Sequence, residues 1–386
     1  MSIKKKGGVL VFLGLIICFT IIFLVVGSKK DSNGTFINPE HIKQAKYVVS
    51  VGEDLKEESF LLLIDKNGKC LKTIKYRGMS IDSVNEGSKG DFFLYSRRLN
   101  KHFRLEENGK LHAFSLLKNK YHDEDWYGMA SWCASTSKNG LIETMNIGNI
   151  DGRYLSNVIY RKKPDGNRTE VLIKDGNPFA LLEKENKIFV GTYFEKTNEM
   201  GLSVINKDKA DLKKIKLNGK YASNSMQLFS VGDKVITYGE DKDYKNKKVI
   251  KTQITAVDAN TYKSKRIIFK DKEIHIAYPH GKSLNVVASD GCLYEYDDRF
   301  RLIGKRSVKK RELYKNITAE DFTNENAKID GKKLYVWHEG DKSNKELIGY
   351  IEEYDKNNLK CIQRVEVRLD EKYNCAGDEC AFSVRK

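Results

Sequence analysis

Between Tyr121 and Tyr127 the chain sets three consecutive carboxylates, Asp123, Glu124 and Asp125, between His122 and the rings of Trp126 and Tyr127. Hard cations take oxygen ligands, so the three carboxylates are candidates for a bound cation, and the neighbouring rings suit stacking on a sugar or peptide. The plain alternative is an acidic surface loop beside a packed aromatic. Tyr244, Tyr314, Trp337, His338 and Tyr373 are candidates to line the same shallow ligand or partner pocket, although interior packing explains them equally well. Seven histidines are scattered without metalloprotease spacing, and neither a zinc motif, a Gly-x-Ser-x-Gly turn nor a phosphate-cradling glycine loop stands out. An ordinary hydrolase is not indicated. No catalytic residue is assigned, and no cofactor is expected beyond that possible cation.

The elements that must position these residues are strands. Of 386 residues only 4 are proline, against 29 glycines and 20 tyrosines, which favours pleated surfaces and tight turns over helices. An apolar strand, an acidic or Asn/Gly turn and a Lys- or Arg-bearing strand recur along the chain. Leu61 to Leu71 and Phe103 to Leu111 are the clearest copies. The turns are marked by Asp65, Glu107, Asp165, Asp208, Asp258, Asp297 and Asp355, on average about 48 residues apart. Propeller blades repeat at about 40–50 residues with four strands each, so seven blades fit the length.

A whole blade is legible at 178–217, where two largely apolar strands, Phe179–Leu182 and Lys187–Gly191, precede a last strand that alternates with lysine. Inner strands are buried on both faces, and lysines guard the outer edge against pairing with other chains. The first unit, from Tyr47, has three strands, while Cys380–Val384 is one spare strand at the C-terminus. Docked as the innermost strand of the first blade, it closes the ring. In such a ring the loops feeding inner strands share one face with those joining second and third strands. The 122–127 cluster, placed just before an expected inner strand Met129–Trp132, falls on that face.

The Asp-x-x-Asn/Gly-Lys hairpins, such as Leu63–Lys69 and Ala256–Thr261, resemble those of bacterial seven-bladed propellers of the quinoprotein-like and YncE-like kind. The resemblance covers about residues 45–386 and implies a fold more than a function. It departs from true quinoprotein repeats, which usually carry a tryptophan after the last strand; here only Trp126, Trp132 and Trp337 occur. Similar propellers include lyases, lactonases and glycosidases whose active groups converge on the channel mouth from several blades.

Location is set by the N-terminus. Lys4, Lys5 and Lys6 precede an uncharged, mostly apolar run over 7–28, long enough to cross a bilayer with the lysine flank on the cytoplasmic side. The expected organisation is a cytoplasmic 1–6, a transmembrane signal anchor at 7–28, a tether at 29–44 and an extracytoplasmic propeller at 45–386. Cleavage after Gly27, with Val25 at −3, is the alternative. The formal charge is +16; five lysines lie within residues 1–30, so +11 remains for residues 31–386. That charge suits an anionic envelope or lipid surface, and no nucleic-acid motif accompanies it. Cys375 and Cys380 can close a small disulfide loop before the last strand or stand as two thiols. The leading reading is a single-pass, membrane-tethered binding module, a bacterial cell-envelope accessory with a protein or envelope-polymer partner. The alternative is a propeller enzyme of lyase, lactonase or glycosidase type with a dispersed site.

Overall fold

The structure, a computed structural model, describes residues 37–52, 58–77, 83–87, 90–95, 101–115, 134–163, 166–217, 228–243, 248–308, 327–340, 344, 346–373, 375 and 379–385. Seven four-stranded antiparallel sheets form the blades of a β-propeller. Blade 1 is built from β1–β3 (Tyr47–Gly52, Glu58–Ile64, Cys70–Arg77). Blade 2 is β4–β7 (Ser83–Glu86, Phe92–Tyr95, Lys101–Leu105, Leu111–Ser115), and blade 3 is β8–β11 (Ala134–Ser137, Gly140–Ile150, Arg153–Arg161, Arg168–Lys174). Blade 4 is β12–β15 (Asn177–Lys184, Lys187–Phe194, Glu199–Asn206, Asp211–Lys216). Blade 5 follows as β16–β19 (Phe229–Val231, Lys234–Asp243, Lys248–Asp258, Ser264–Lys270) and blade 6 as β20–β23 (Ile274–His280, Ser283–Ala288, Cys292–Tyr296, Leu302–Ser307). Blade 7 is β24–β27 (Ala327–Asp330, Lys333–Glu339, Leu347–Asp355, Cys361–Arg368), and β28 (Glu379–Val384) returns to complete blade 1. The inner strand of blade 3 is therefore Ala134–Ser137; the expected Met129–Trp132 lies outside the described residues.

Each middle strand feeds two seams because successive side chains leave a strand on opposite faces. On β13, Ile188 and Val190 enter the cluster between blades 3 and 4, whereas Phe189 enters the one between blades 4 and 5. The closing strand works the same way. β28 pairs antiparallel with β1, matching Val49 to Phe382 and Ser50 to Ala381. Phe382 is 1% exposed in the seam with blade 7, and Ala381 packs in the seam with blade 2.

The acidic turn markers have a common task. Asp65 Oδ1 accepts hydrogen bonds from the backbone of Asn67 at 2.8 Å and Lys69 at 2.9 Å. Asp258, Asp297 and Asp355 cap the equivalent turns of blades 5, 6 and 7. In blade 4 the marker is Asn206, not Asp208, since its Oδ1 receives the Asp208 amide at 3.0 Å. Hydrogen bonds from Lys234 and the Thr261 amide hold the Asp258 carboxyl below the usual range, and the Arg301 amide lowers that of Asp297.

On this same face, polar contacts cross every seam. Thr136 Oγ1 donates to the Glu86 carbonyl at 2.8 Å, Tyr160 Oη to that of Lys207 at 3.2 Å, and Lys187 Nζ to that of Ala259 at 2.7 Å. Lys265 Nζ reaches the Arg299 carbonyl at 2.7 Å, Tyr278 Oη that of Lys356 at 2.9 Å, and Gln363 Nε2 that of Lys66 at 2.7 Å. Arg385 completes the circle by pairing with Glu107 at 3.1 Å between blades 1 and 2.

Of the stretch 29–44 expected as a tether, residues 37–44 pack on the ring. Asn38 caps a helix α1 (Pro39–Gln44), with Pro39 at its start, and Ile37 and Ile42 are fully buried with blades 1 and 2. The Ile37 amide donates to the Gly109 carbonyl at 3.1 Å. Gly109 sits at φ +92°, and a Cβ there would collide with the Ile37 carbonyl. Arg385 also donates to the Ile42 carbonyl, so the last described residue clamps the first helix. Among the described residues no helix is long and apolar enough to cross a membrane; the 7–28 segment lies outside them.

Truncating Phe382 to Ala should lower unfolding free energy by about 3–5 kcal/mol, the usual range for a buried Phe. Deleting residues 379–386 should abolish cooperative unfolding. Urea titration followed by tryptophan fluorescence checks both, and an unchanged midpoint would refute closure by β28.

Candidate functional site

His122, Asp123, Glu124, Asp125, Trp126, Tyr127, Tyr244 and Tyr314 lie outside the described residues. Trp337, His338 and Tyr373 lie within them, and the structure splits the three between two seams. Trp337 on β25 is 5% exposed and packs beside Phe382, ring centroids 6.2 Å apart. Tyr373 ends a 3-10 turn (Glu371–Tyr373) and rests on Phe60 at 4.9 Å. Both belong to the apolar seam between blades 7 and 1, as do the half-buried thiols of Cys375 and Cys380.

His338 is the next residue on the strand and faces the opposite way, toward blade 6. It stacks on Tyr350 with centroids 4.8 Å apart and planes 20° from parallel. Its Nε2 stands 3.1 Å from Glu352 Oε2. The Glu352 carboxylate is 2% exposed and also accepts from Arg364 Nε at 2.9 Å and from the Tyr354 hydroxyl. Arg364 in turn lies 4.7 Å over the Tyr350 ring.

Burial alone would raise the Glu352 pKa. His338, Tyr354 and Arg364 outweigh it and bring the carboxyl from 4.5 down to about 2. The Tyr354 hydroxyl is pushed up by its own burial and by that carboxylate. A carboxylate beside an imidazole is the arrangement that orients a general base. Here the imidazole is itself buried, with its side chain 9% exposed, so the pair organises the seam between blades 6 and 7.

A second group sits where the ends of β19 and β21 approach. Lys272 Nζ is 2.8 Å from the Tyr294 hydroxyl and 3.0 Å from Asp290 Oδ2, and the Tyr294 hydroxyl donates to the same oxygen at 2.5 Å. Lys305 lies over the Tyr294 ring at 5.1 Å. Hydrogen bonds to Tyr294 and Asp290 raise the Lys272 pKa. Asp290 is lowered, because Tyr294 and Lys272 together outweigh its burial. A cavity of about 450 Å³ lies beside α1 at the foot of blade 2, with the Asp91–Arg104 ion pair in its wall. Among the described residues no three potential metal ligands come together.

Neither charge cluster is a local motif. Glu352 and Arg364 come from adjacent strands and His338 from a third; the one visible signal is glutamate inside the strand run Tyr350–Tyr354. Lys272, Asp290 and Tyr294 are likewise spread over three elements.

No protein-family model and no curated sequence matches the chain. Solved structures do. A hypothetical selenium-binding protein from Sulfolobus tokodaii superposes with a TM-score of 0.55 at 9% identity, covering 90% of this chain and 95% of that one. The periplasmic gluconolactonase of Pseudomonas aeruginosa gives 0.52 at 12% identity, covering 88% and 99%. A streptogramin B lyase gives 0.48 at 10% identity over 88% and 98%. At these identities the first two show a likeness of fold, in line with the seven blades seen here and with the hairpin resemblance, and nothing of chemistry.

Because the Glu352 carboxyl is depressed in the fold, its contribution is present above pH 4.5 and is lost as pH falls toward about 2. Glu352→Gln should therefore be less stable than wild type at neutral pH, with the gap closing through that acid window. Denaturation midpoints measured across the pH range check the sign; a gap that widened on acidification would contradict it.

Proposed function

We propose that the chain is a membrane-tethered, extracytoplasmic binding module whose recognition surface is one face of the ring. The observation that carries this is an asymmetry of connections. On the stapled face, adjoining strands are joined by two to six residues, for example 65–69, 185–186 and 356–360. On the other face most connections are equally short, but four are much longer, 116–133, 217–228, 308–326 and 369–378. Long connections on a rigid scaffold are where binding groups are usually placed, and a stapled opposite face supplies the rigidity. Three of those segments carry sequence candidates: the 122–127 cluster, Tyr314 and Tyr373.

Tethering is supported by the 7–28 segment and its lysine flank, and a protein or envelope polymer is the partner that such a surface suits. The described carboxylates favour binding over catalysis. Glu352, Asp290 and Asp258 are held ionised by structural partners, as befits groups that stiffen a frame and unlike acid–base groups tuned near neutrality.

The test uses the full chain in its own membranes. Carbonate extraction should leave it in the pellet at full length, and chemical cross-linking should capture a partner. Replacing Asp123, Asp125 and Trp126 together by Ala should cut that capture several-fold while leaving the unfolding midpoint in place. Undiminished capture would sink the recognition face, and turnover of a lactone or sugar substrate by the purified chain would install the enzyme reading instead.

A further inference from the structure

We infer that the outer rim of blades 5, 6 and 7 is a contact surface for an anionic lipid bilayer. This rests on the tethered reading above and adds the side on which the ring lies. The seven outer strands, β3, β7, β11, β15, β19, β23 and β27, together carry a formal +12, whereas residues 31–386 as a whole carry +11. The net positive charge of the folded body is thus all on its rim; inner strands, turns and connections sum to about zero.

Charge alone would fit edge protection. Exposed aliphatic side chains do not. Six large hydrophobics are exposed among the described residues, and four lie on the outer strands of three consecutive blades: Ile268 on β19, Leu302 and Ile303 on β23, and Ile362 on β27, each 51–57% exposed. Two of them stand at irregularities of the ladder. Tyr296 pairs with Leu302 and Glu295 with Gly304, which leaves Ile303 unmatched. Tyr354 pairs with Cys361 and Glu353 with Gln363, leaving Ile362 unmatched. A bulge re-aims the residue it inserts, and in both blades that residue is an isoleucine presented to solvent.

The same three strands bring Lys265, Arg266, Lys270, Lys305, Arg306 and Arg364. Basic side chains attract an anionic leaflet, and bare aliphatic ones enter its interfacial layer, so the two together match a bilayer. A soluble polyanion would use the charges and leave the isoleucines in water.

The experiment reconstitutes the full chain into phosphatidylcholine vesicles, with or without phosphatidylglycerol, doped with a phospholipid bearing a photoactivatable headgroup. Adducts are mapped by mass spectrometry. With phosphatidylglycerol present, adducts on β19, β23 and β27 should exceed those on β7, β11 and β15 several-fold. They should fall at high salt, in phosphatidylcholine alone, and in two variants that keep the wild-type melting curve: Lys270→Glu, and Ile268→Ser with Ile303→Ser. Adducts spread evenly around the ring, or indifferent to lipid charge, would overturn the inference. So would a soluble polyphosphate that binds the rim while no lipid adduct forms on it. If carbonate strips the chain from the vesicles, the anchor fails instead. Flotation of the added chain with phosphatidylglycerol vesicles then still reports on the rim, and loss of flotation would overturn it.

Discussion

The pairing of β28 with β1 is the constraint on which the rest depends. Six blades are continuous runs of chain; the remaining one joins strands more than three hundred residues apart, Tyr47 opposite Val384 at one end and Gly52 opposite Glu379 at the other. A four-stranded sheet with two apolar faces cannot stand alone, because each face needs a neighbour to cover it. Without β28, the seams with blades 7 and 2 would lose Phe382 and Ala381 together, leaving an open strand edge between them. Closing so long a loop carries an entropic cost. It is offset by apolar burial and by the terminal clamp, in which Lys46 and Arg385 exchange bonds to each other's backbone carbonyls.

The ring was legible in the sequence because its units are local. Each hairpin lies within about ten residues, so its apolar strand, capping Asp and basic edge strand appear in order, and the spare strand at Cys380–Val384 pointed to closure. Reading failed where the determinant is non-local. Residues 37–44 read as linker in the sequence, since nothing near Ile37 or Ile42 announces that blade 2 will bury them through Gly109. Trp337 and His338 are both expected at the pocket-bearing face of the ring. On a strand, adjacency means opposite faces, and the two side chains belong to different seams. The partners of His338, namely Glu352, Tyr350 and Arg364, only meet it once β25–β27 are in register.

Charge is divided by task. On the turn face, carboxylates such as Asp65 and Asp297 satisfy backbone amides, and lysine ammoniums satisfy carbonyls of the next blade, so both signs are consumed locally. At the seam of blades 6 and 7, Glu352 sits among His338, Tyr354 and Arg364, which keep its carboxyl low although it is 2% exposed. Removing one partner there would strand a buried charge, so such a site locks the relative position of strands more than it adds stability.

The outer strands have a different problem, because every propeller blade ends in an unpaired edge. Lysine and arginine protect that edge, and most blades here follow the rule, as the alternation Leu212, Lys213, Lys214, Ile215, Lys216 on β15 shows. Blades 6 and 7 keep the basic residues and still present Ile303 and Ile362 at their bulges. If the bulges served only to twist the edge away from other strands, a polar residue would do so without exposing aliphatic surface. An isoleucine at that point has a favourable environment only against something apolar. Because the strands around it are basic, that apolar medium must also carry negative charge at its surface, and an anionic bilayer meets both conditions.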